Sequence, residues 1–337
     1  MAQRKSCVLL VNTGSPDKPT PKAVFRYLMQ FLLDPRVVDV PPVVRHILVG
    51  GFIVPRRYRT SAKNYKSIWT EEGSPLIATT QKLKSRLALL LGEDVIVEAC
   101  MRYGSPSISQ TLEHIKTANV KKLIILPLFP QYASATSGSV LEAALSCIKK
   151  WKNIPDIVCI SDFVHSPGFL QSWIDVAKPY DFSSYDRIVF TFHGLPKRQL
   201  KKGCTGCSFA QDNKPLYDCG KCYPNQCHYL TNALINALSI NKMKTSLCFQ
   251  SRLGQDEWLG PYTQDVIVKL AQQGAKRVCL FAPSFVSDCL ETLYELGIEY
   301  RDEFIKHGGE HLELIPSLNV HPTWIKALQG IINANFG

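Results

Sequence analysis

Eight short apolar runs rich in Val, Ile, Leu and Phe recur along the chain, each closed by Gly, Pro, Ser or Asp. They are CVLLVNTGSP (7–16), VIVEACMRYGSP (95–106), KKLIILPLFPQY (121–132), DIVCISDF (156–163), RIVFTFHGLP (187–196), TSLCFQSRLG (245–254), RVCLFAPSF (277–285) and LELIPSLN (312–319). Continuous apolar runs of this length mark parallel strands covered on both faces, and the stretches between them read as helices. Four strands fall in each half. The halves also echo one another, since VKKLIILPLFPQYAS (120–134) and AKRVCLFAPSFVSD (275–288) share a basic start, an apolar strand and a stop of Pro and aromatic residues. The pattern predicts an α/β chain of two similar three-layer domains with parallel sheets, 1–165 and 166–320. An amphipathic helix within 321–337 would pack on either domain. In such sheets ligands bind beyond the carboxyl ends of the strands and between domains, so the punctuated strand ends are where chemistry belongs.

Length and composition agree with this reading: 337 residues suit two domains, and 45% hydrophobic residues suffice for two cores. The formal charge of +11 admits an anionic ligand or surface. Only PRRYR (55–59) and KRQLKK (197–202) are dense in cations, which argues against a nucleic-acid reader. The first apolar run is shorter than a secretory signal, and VVRHILVGGFIVP (43–55) is shorter than a membrane span. That second segment could still lie on a membrane. Twelve cysteines without an export signal point to a reducing, cytoplasmic setting, where close thiols bind metal more often than they pair.

Three constellations carry chemistry. His193 ends a predicted strand, where an imidazole titrating near neutrality can take a proton or hold a metal; a turn histidine is the plain alternative. Glu291, Glu295 and Glu299 stand four apart directly after RVCLFAPSF, on the segment SDCLETLYELGIEY. On a helix they form one stripe, and like charges so placed repel unless solvated, bound to a cation or partly protonated. The apolar Leu290, Leu293 and Leu296 around them leave little room for a purely solvated face, so the stripe suits a path for a hard cation or for protons. Cys204, Cys207, Cys219, Cys222 and Cys227 form C-x2-C-x11-C-x2-C-x4-C, a metal-binding spacing in which four thiolates satisfy either zinc or an iron-sulfur cluster. FPQYASATSGS (129–139) makes an anion-accepting turn or a helix cap, and Trp258 in WLGP could stack on a flat ligand or fill a core.

Taken in order, LLVNTGSP, GSPL (73–76), MRYGSP, LPLFPQYASATSGS, HGLP, YPNQC (223–227), QSRLGQDEWLGP (250–261) and SDCLETLYELGIEY resemble the ferrochelatase family over nearly the whole chain. The resemblance implies two Rossmann-like domains, chelatase-like, with the active-site cleft between them. It implies insertion of Fe2+ into protoporphyrin IX to form protohaem, with ferrous iron as substrate. By matching motifs, His193 resembles the residue that takes pyrrole protons or contacts the metal, with Glu291 facing it. Glu295 and Glu299, with Asp288, resemble an acidic conduit on a helix that in the family holds a π-type turn. Arg102, Tyr103, Trp258 and Thr13 resemble substrate-pocket residues, and Ser134 with Arg57 resembles the propionate side. The segment 43–55 resembles an entrance lip against a membrane.

The long cysteine-bearing stretch 199–227 resembles ferrochelatases with an internal two-iron two-sulfur (2Fe-2S) cluster. Cys204, Cys207, Cys222 and Cys227 would hold it, with Cys219 as the rival for Cys222 and structural Zn2+ as the rival metal. Cys289 stands where some members carry a second histidine. The alternatives within enzymes are a coproporphyrin ferrochelatase and a chelatase for another metal. Outside enzymes stands a non-catalytic porphyrin or haem carrier with a redox-sensing cluster. A monomer and a homodimer are both compatible, and no nucleic acid is expected.

Overall fold

The computed structural model describes residues 5–203, 221–252, 254 and 256–336. All eight predicted strands are present, in two four-stranded parallel sheets. β1 (Ser6–Gly14), β2 (Val95–Tyr103), β3 (Lys122–Pro127) and β4 (Asp156–Cys159) lie in the order β2-β1-β3-β4. β5 (Arg187–His193), β6 (Thr245–Gln250), β7 (Arg277–Phe281) and β8 (His311–Leu314) repeat it as β6-β5-β7-β8. The first strand of each set is central and buried on both faces, which is why CVLLV and IVF carry no alternation: Cys7 through Val11 and Ile188 through Phe190 are fully buried. In both sheets the strand order reverses between the first and third strands, and a doubly wound sheet binds ligands at that switch point.

The repeat holds in detail. Asn12 pairs with Met101 as Phe192 pairs with Phe249. Met101 N–H then donates to Pro106 O at 2.7 Å, and Phe249 N–H to Pro261 O at 2.9 Å. Thr13 and His193 therefore hold matching places, one residue past these pairs. β3 is followed by a π-helix, Ser134–Gly138, and β7 by a longer one, Glu291–Tyr300. Such widened turns recur at functional sites.

The chain divides into two compact units, Met1–Phe163 with Trp324–Gly337, and Val164–Thr323. In the first, Leu9, Val11, Ile125, Val140 and Ala144 form the core of one face. In the second, Val189, Leu280, Leu296, Tyr300 and Phe304 do the same. The helix Pro322–Asn333 closes the first unit: Trp324, Leu328 and Ile332 are fully buried and the Trp324 ring lies 5.5 Å from that of Phe163.

The segment 43–55 is helical throughout, as the helix Pro42–His46, a π-helix Ile47–Ile53 and the start of the helix Val54–Ile68. Its amphipathicity is inverted. Arg45 is buried and donates to Val38 O at 3.2 Å, while Val43, Val44, Ile47 and Phe52 are between 50% and 72% exposed. Among the described residues no helix is long and apolar enough to cross a membrane.

Candidate active site

β5 ends on His193, and the backbone around it is tied down on several sides. The ring Nδ1 lies 2.7 Å from Gly194 O. A carbonyl only accepts, so Nδ1 carries the proton in that contact and the Nε2 lone pair is left for a substrate. Gly194 N–H donates to Gln250 O at 2.8 Å, and the Tyr223 hydroxyl donates to His193 O at 2.7 Å. Trp258 stands 6.5 Å from the imidazole, ring to ring. Its segment is pinned by Leu259 N–H donating to Leu195 O at 3.0 Å. A Cβ at Gly194 would meet Trp258 Cε3 at 3.2 Å and Gln250 O at 3.0 Å, so the glycine lets the indole come close.

The acidic stripe lies on the π-helix that follows β7, across the switch point from His193. The helix is a π-helix over its whole length Glu291–Tyr300, where the spacing suggested a stripe on a helix and the family resemblance a π-type turn within it. Glu295 is bonded at both oxygens, accepting from Ser251 Oγ and from the Tyr300 hydroxyl at 2.7 Å each. Burial pushes its pKa up, and the Glu291 charge adds to this; the two hydroxyl bonds and the nearby His193 only partly offset the rise. Glu299 is also pushed up, by burial and then by Glu303. Cys289 is buried, and its thiol is held far above the ordinary range, by burial first and then by the neighbouring Glu291 carboxylate.

Asp288, the other acid of the segment, is held by bonds of its own. Its Oδ2 accepts from Asn319 Nδ2 at 2.7 Å and its Oδ1 from Thr292 Oγ1 at 3.2 Å, so it fastens the start of the π-helix to the 317–319 loop.

In the first unit the carboxyl end of the sheet is organised by a residue that sequence reasoning missed. Asp34 is 5% exposed. Its Oδ2 accepts from Arg102 Nη2 at 2.6 Å, Ser139 Oγ at 2.6 Å and the Tyr103 hydroxyl at 2.8 Å. Its Oδ1 accepts from Arg36 N–H at 2.8 Å. Burial alone would raise this carboxyl, but the bonds from Ser139, Arg36 N–H and Tyr103 and the Arg102 guanidinium outweigh it and hold the pKa below the usual value. The available signal was a lone acid in the apolar run FLLDPRVV.

Arg102 also donates from Nε to Ser139 Oγ at 2.7 Å and lies over the Tyr103 ring. Tyr103 itself is 2% exposed with its hydroxyl bonded to Asp34, so it supports Arg102 and does not present itself to a ligand. Ser134 accepts from Arg36 Nη1 at 2.9 Å, and Arg36 also pairs with Glu142. The cation beside Ser134 is thus Arg36, and not Arg57, which is exposed on the helix Val54–Ile68. Thr13 is half-buried, with its N–H donating to Asn12 Oδ1 at 2.8 Å.

Of the five clustered cysteines, Cys204, Cys207 and Cys219 lie outside the described residues. Cys222 and Cys227 are both buried at the amino end of the helix Tyr223–Ala237. The Cys227 thiol is pushed far up by burial, a hydrogen bond with the Tyr223 hydroxyl offsets part of the rise, and Cys222 is near enough to add to it. Two thiols side by side out of water fit half of a four-thiolate set. Among the described residues no three His, Cys, Asp or Glu side chains form a ready metal site.

The profile of the ferrochelatase family matches residues 5–336. Ferrochelatases of Legionella pneumophila are similar along their whole length. That of strain Lens is 41% identical over 330 residues, covering 98% of this chain and 99% of the relative. That of strain Philadelphia 1 is also 41% identical over 330 residues, with the same coverage. Among solved structures, SirB from Bacillus subtilis with Fe3+ superposes with a TM-score of 0.53 at 11% identity, covering 98% of this chain and 94% of that one. The sirohydrochlorin chelatase SirB from Bacillus subtilis subspecies spizizenii, in complex with cobalt, gives 0.52 at 11% identity, with the same coverage. At such identity these structures speak for the fold alone, that of the two-unit α/β chelatases. With the family profile matched from end to end and the relatives matched over nearly their full length, the chain belongs to the ferrochelatase family.

Proposed function

We propose that the protein inserts Fe2+ into protoporphyrin IX and releases two protons to form protohaem, with His193 as the base. The observation that carries the residue assignment is the meeting of two groups at one switch point. One is an imidazole with its Nε2 lone pair free; the other is a buried carboxyl, Glu295, that keeps its proton to higher pH than an ordinary glutamate. A free porphyrin carries two inner N–H protons where the cation must enter. Nε2 of His193 takes a pyrrole proton, and the imidazolium so formed draws Glu295 toward its ionised form, so charge is balanced within the site. Glu291 and Glu299 on the same π-helix offset the charge of the incoming ion and carry protons away. Trp258 walls the ring. Arg102 and Arg36, with Ser134, supply the cationic and hydroxyl contacts that propionates need.

We further infer that Cys204, Cys207, Cys222 and Cys227 hold a 2Fe-2S cluster, with Cys219 as the alternative to Cys222. Such a cluster would supply a coloured, redox-active cross-link and takes no part in insertion. The exposed Val43, Val44, Ile47 and Phe52 would let a cytoplasmic protein rest on a membrane that delivers a greasy substrate.

An anaerobic assay tests all of this. The visible spectrum of protein purified without added metal is recorded, then protoporphyrin and ferrous iron are added and the Soret and Q bands followed. Haem formation is expected, from protein that is brown at the start. Tight porphyrin binding without insertion would refute the iron and protoporphyrin assignment, and colourless active protein would refute the cluster. Cys207→Ser is expected to lose both colour and folded protein; a soluble, active, colourless variant would make the cluster dispensable.

A further inference from the structure

The Tyr223 hydroxyl is hydrogen-bonded to the buried Cys227 thiol, and it also sits where the second sheet is left unfinished. β5 pairs with β6 as far as His193, which lies opposite Gln250. Its pairing with β7 stops at Phe190 opposite Phe281, three residues short of the histidine. The last residues of β5 therefore lack a strand neighbour on the β7 side, at the switch point where the base must be held. Tyr223, the first residue of the helix Tyr223–Ala237, fills this place. It is 7% exposed, and its hydroxyl donates to His193 O at 2.7 Å. The same oxygen is hydrogen-bonded by Ser284, which stands three residues beyond the end of β7. A phenol thus spans from β5 to the β7 exit, as a rung of backbone hydrogen bonds would.

The rung bears on the imidazole through the next peptide unit. His193 Nδ1 is oriented by Gly194 O, and Gly194 N–H is held by Gln250 O at 2.8 Å. The peptide that joins His193 to Gly194 is therefore fixed at both ends, its carbonyl by Tyr223 and its N–H by β6. Releasing one end lets Gly194 O turn away from Nδ1, and with it goes the preference for the tautomer that leaves Nε2 free.

We propose that Tyr223 is a positioning residue for His193, its hydroxyl standing in for the missing β5–β7 rung and so setting the tautomer and direction of the imidazole. This rests on the reading of His193 as the base. A general base displaced by a few tenths of an ångström loses much of its advantage while the ring-binding surface is untouched, so the expected signature is in kcat and not in KM.

The test is Tyr223→Phe, which keeps the ring and removes the hydroxyl together with its bond to Cys227, run beside Ser284→Ala, which loosens the rung and leaves the Cys227 bond in place. Metal insertion is followed together with the 15N spectrum of histidine-labelled protein, in which His193 is assigned by its absence from His193→Gln. The expected result is a fall in kcat of about tenfold with the porphyrin KM within about twofold, and a second His193 tautomer in the spectrum. Wild-type kcat with a single tautomer would overturn the proposal. A loss of kcat matched by a rise in KM with an unchanged tautomer would also overturn it, since that is what a merely structural tyrosine gives. Should Tyr223→Phe not fold, Ser284→Ala removes the other end of the rung, and an unaltered His193 spectrum there overturns the proposal. Wild-type protein that inserts no metal would sink the assigned function, while the tautomer readout still decides on the rung.

Discussion

Each unit buries a carboxylate near the carboxyl end of its sheet, and the two are driven in opposite directions. Asp34 in the first unit is met by a guanidinium, two hydroxyls and a backbone N–H, which hold it ionised. Glu295 in the second receives two hydroxyls and has a second carboxylate nearby, so burial wins and its pKa is raised. The topology around them is the same. A fold used twice therefore leaves chemistry to the partners: a carboxylate supplied with cation and donors is held ionised as a fastening, while one denied a cation holds its proton to higher pH.

The largest effect that separates the units is expected at the matched strand ends. His193→Ala should lower metal insertion by about 10³-fold with porphyrin binding, read by fluorescence quenching, retained. Thr13→Ala, at the same place in the first sheet, should change turnover by less than about threefold; equal losses would break the division of labour.

Next comes Glu295→Gln, expected to cost about 10²-fold in turnover and yet to raise the thermal midpoint near neutral pH. The sign follows from its raised pKa. A folded state that holds the proton more tightly has its full stabilisation from Glu295 below the ordinary carboxylate value and loses it as pH rises through the group's own pKa. Glutamine removes that loss. Unchanged turnover would remove Glu295 from the proton path.

Asp34→Asn should have the opposite character. It should destabilise by about 2 kcal/mol, because it leaves the half-covered Arg102 without its anion. Asp34 is held below the ordinary value, so its contribution is full above that value and is lost as pH falls through its own pKa. The variant's stability should accordingly fall less in acid than that of the wild type, as read by thermal melts across the acid to neutral range.

The smallest effect is at Gly194→Ala. A new methyl would press on Trp258 Cε3 and Gln250 O, so porphyrin affinity should drop by about threefold to tenfold with little loss of stability. Gly14, its counterpart in the first unit, is at φ +109°, and a Cβ there would run into Tyr103 O. Gly14→Ala should therefore damage folding, and binding only through folding.

The strands were legible because a strand buried on both faces must be apolar throughout, and the resemblance between 120–134 and 275–288 is the repeat itself. The places of His193 and the glutamates in the fold were legible because they stand at the end of such a strand or on the segment that follows one. Asp34 was not, since its partners Arg102, Tyr103 and Ser139 lie 68 to 105 residues away and no local pattern announces a hub made of distant chain. The bonds of Asp288 were hidden for the same reason in part: Thr292 is four residues on, but Asn319 is 31 residues away. Tyr103 resembled a pocket residue by its family motif, and only the packing of Phe31 and Arg102 over its ring shows it enclosed.

The helix Pro322–Asn333 also sets a timetable for synthesis. The first unit waits for Trp324, Leu328 and Ile332, which leave the ribosome only after all of Val164–Thr323 has been made. A growing chain that has reached Thr323 holds every residue of the second unit, while the first still shows the apolar surface around Phe163 that Trp324 will cover. The unit begun first is thus the one completed last, and for that interval its open flank is where a holding chaperone would be needed.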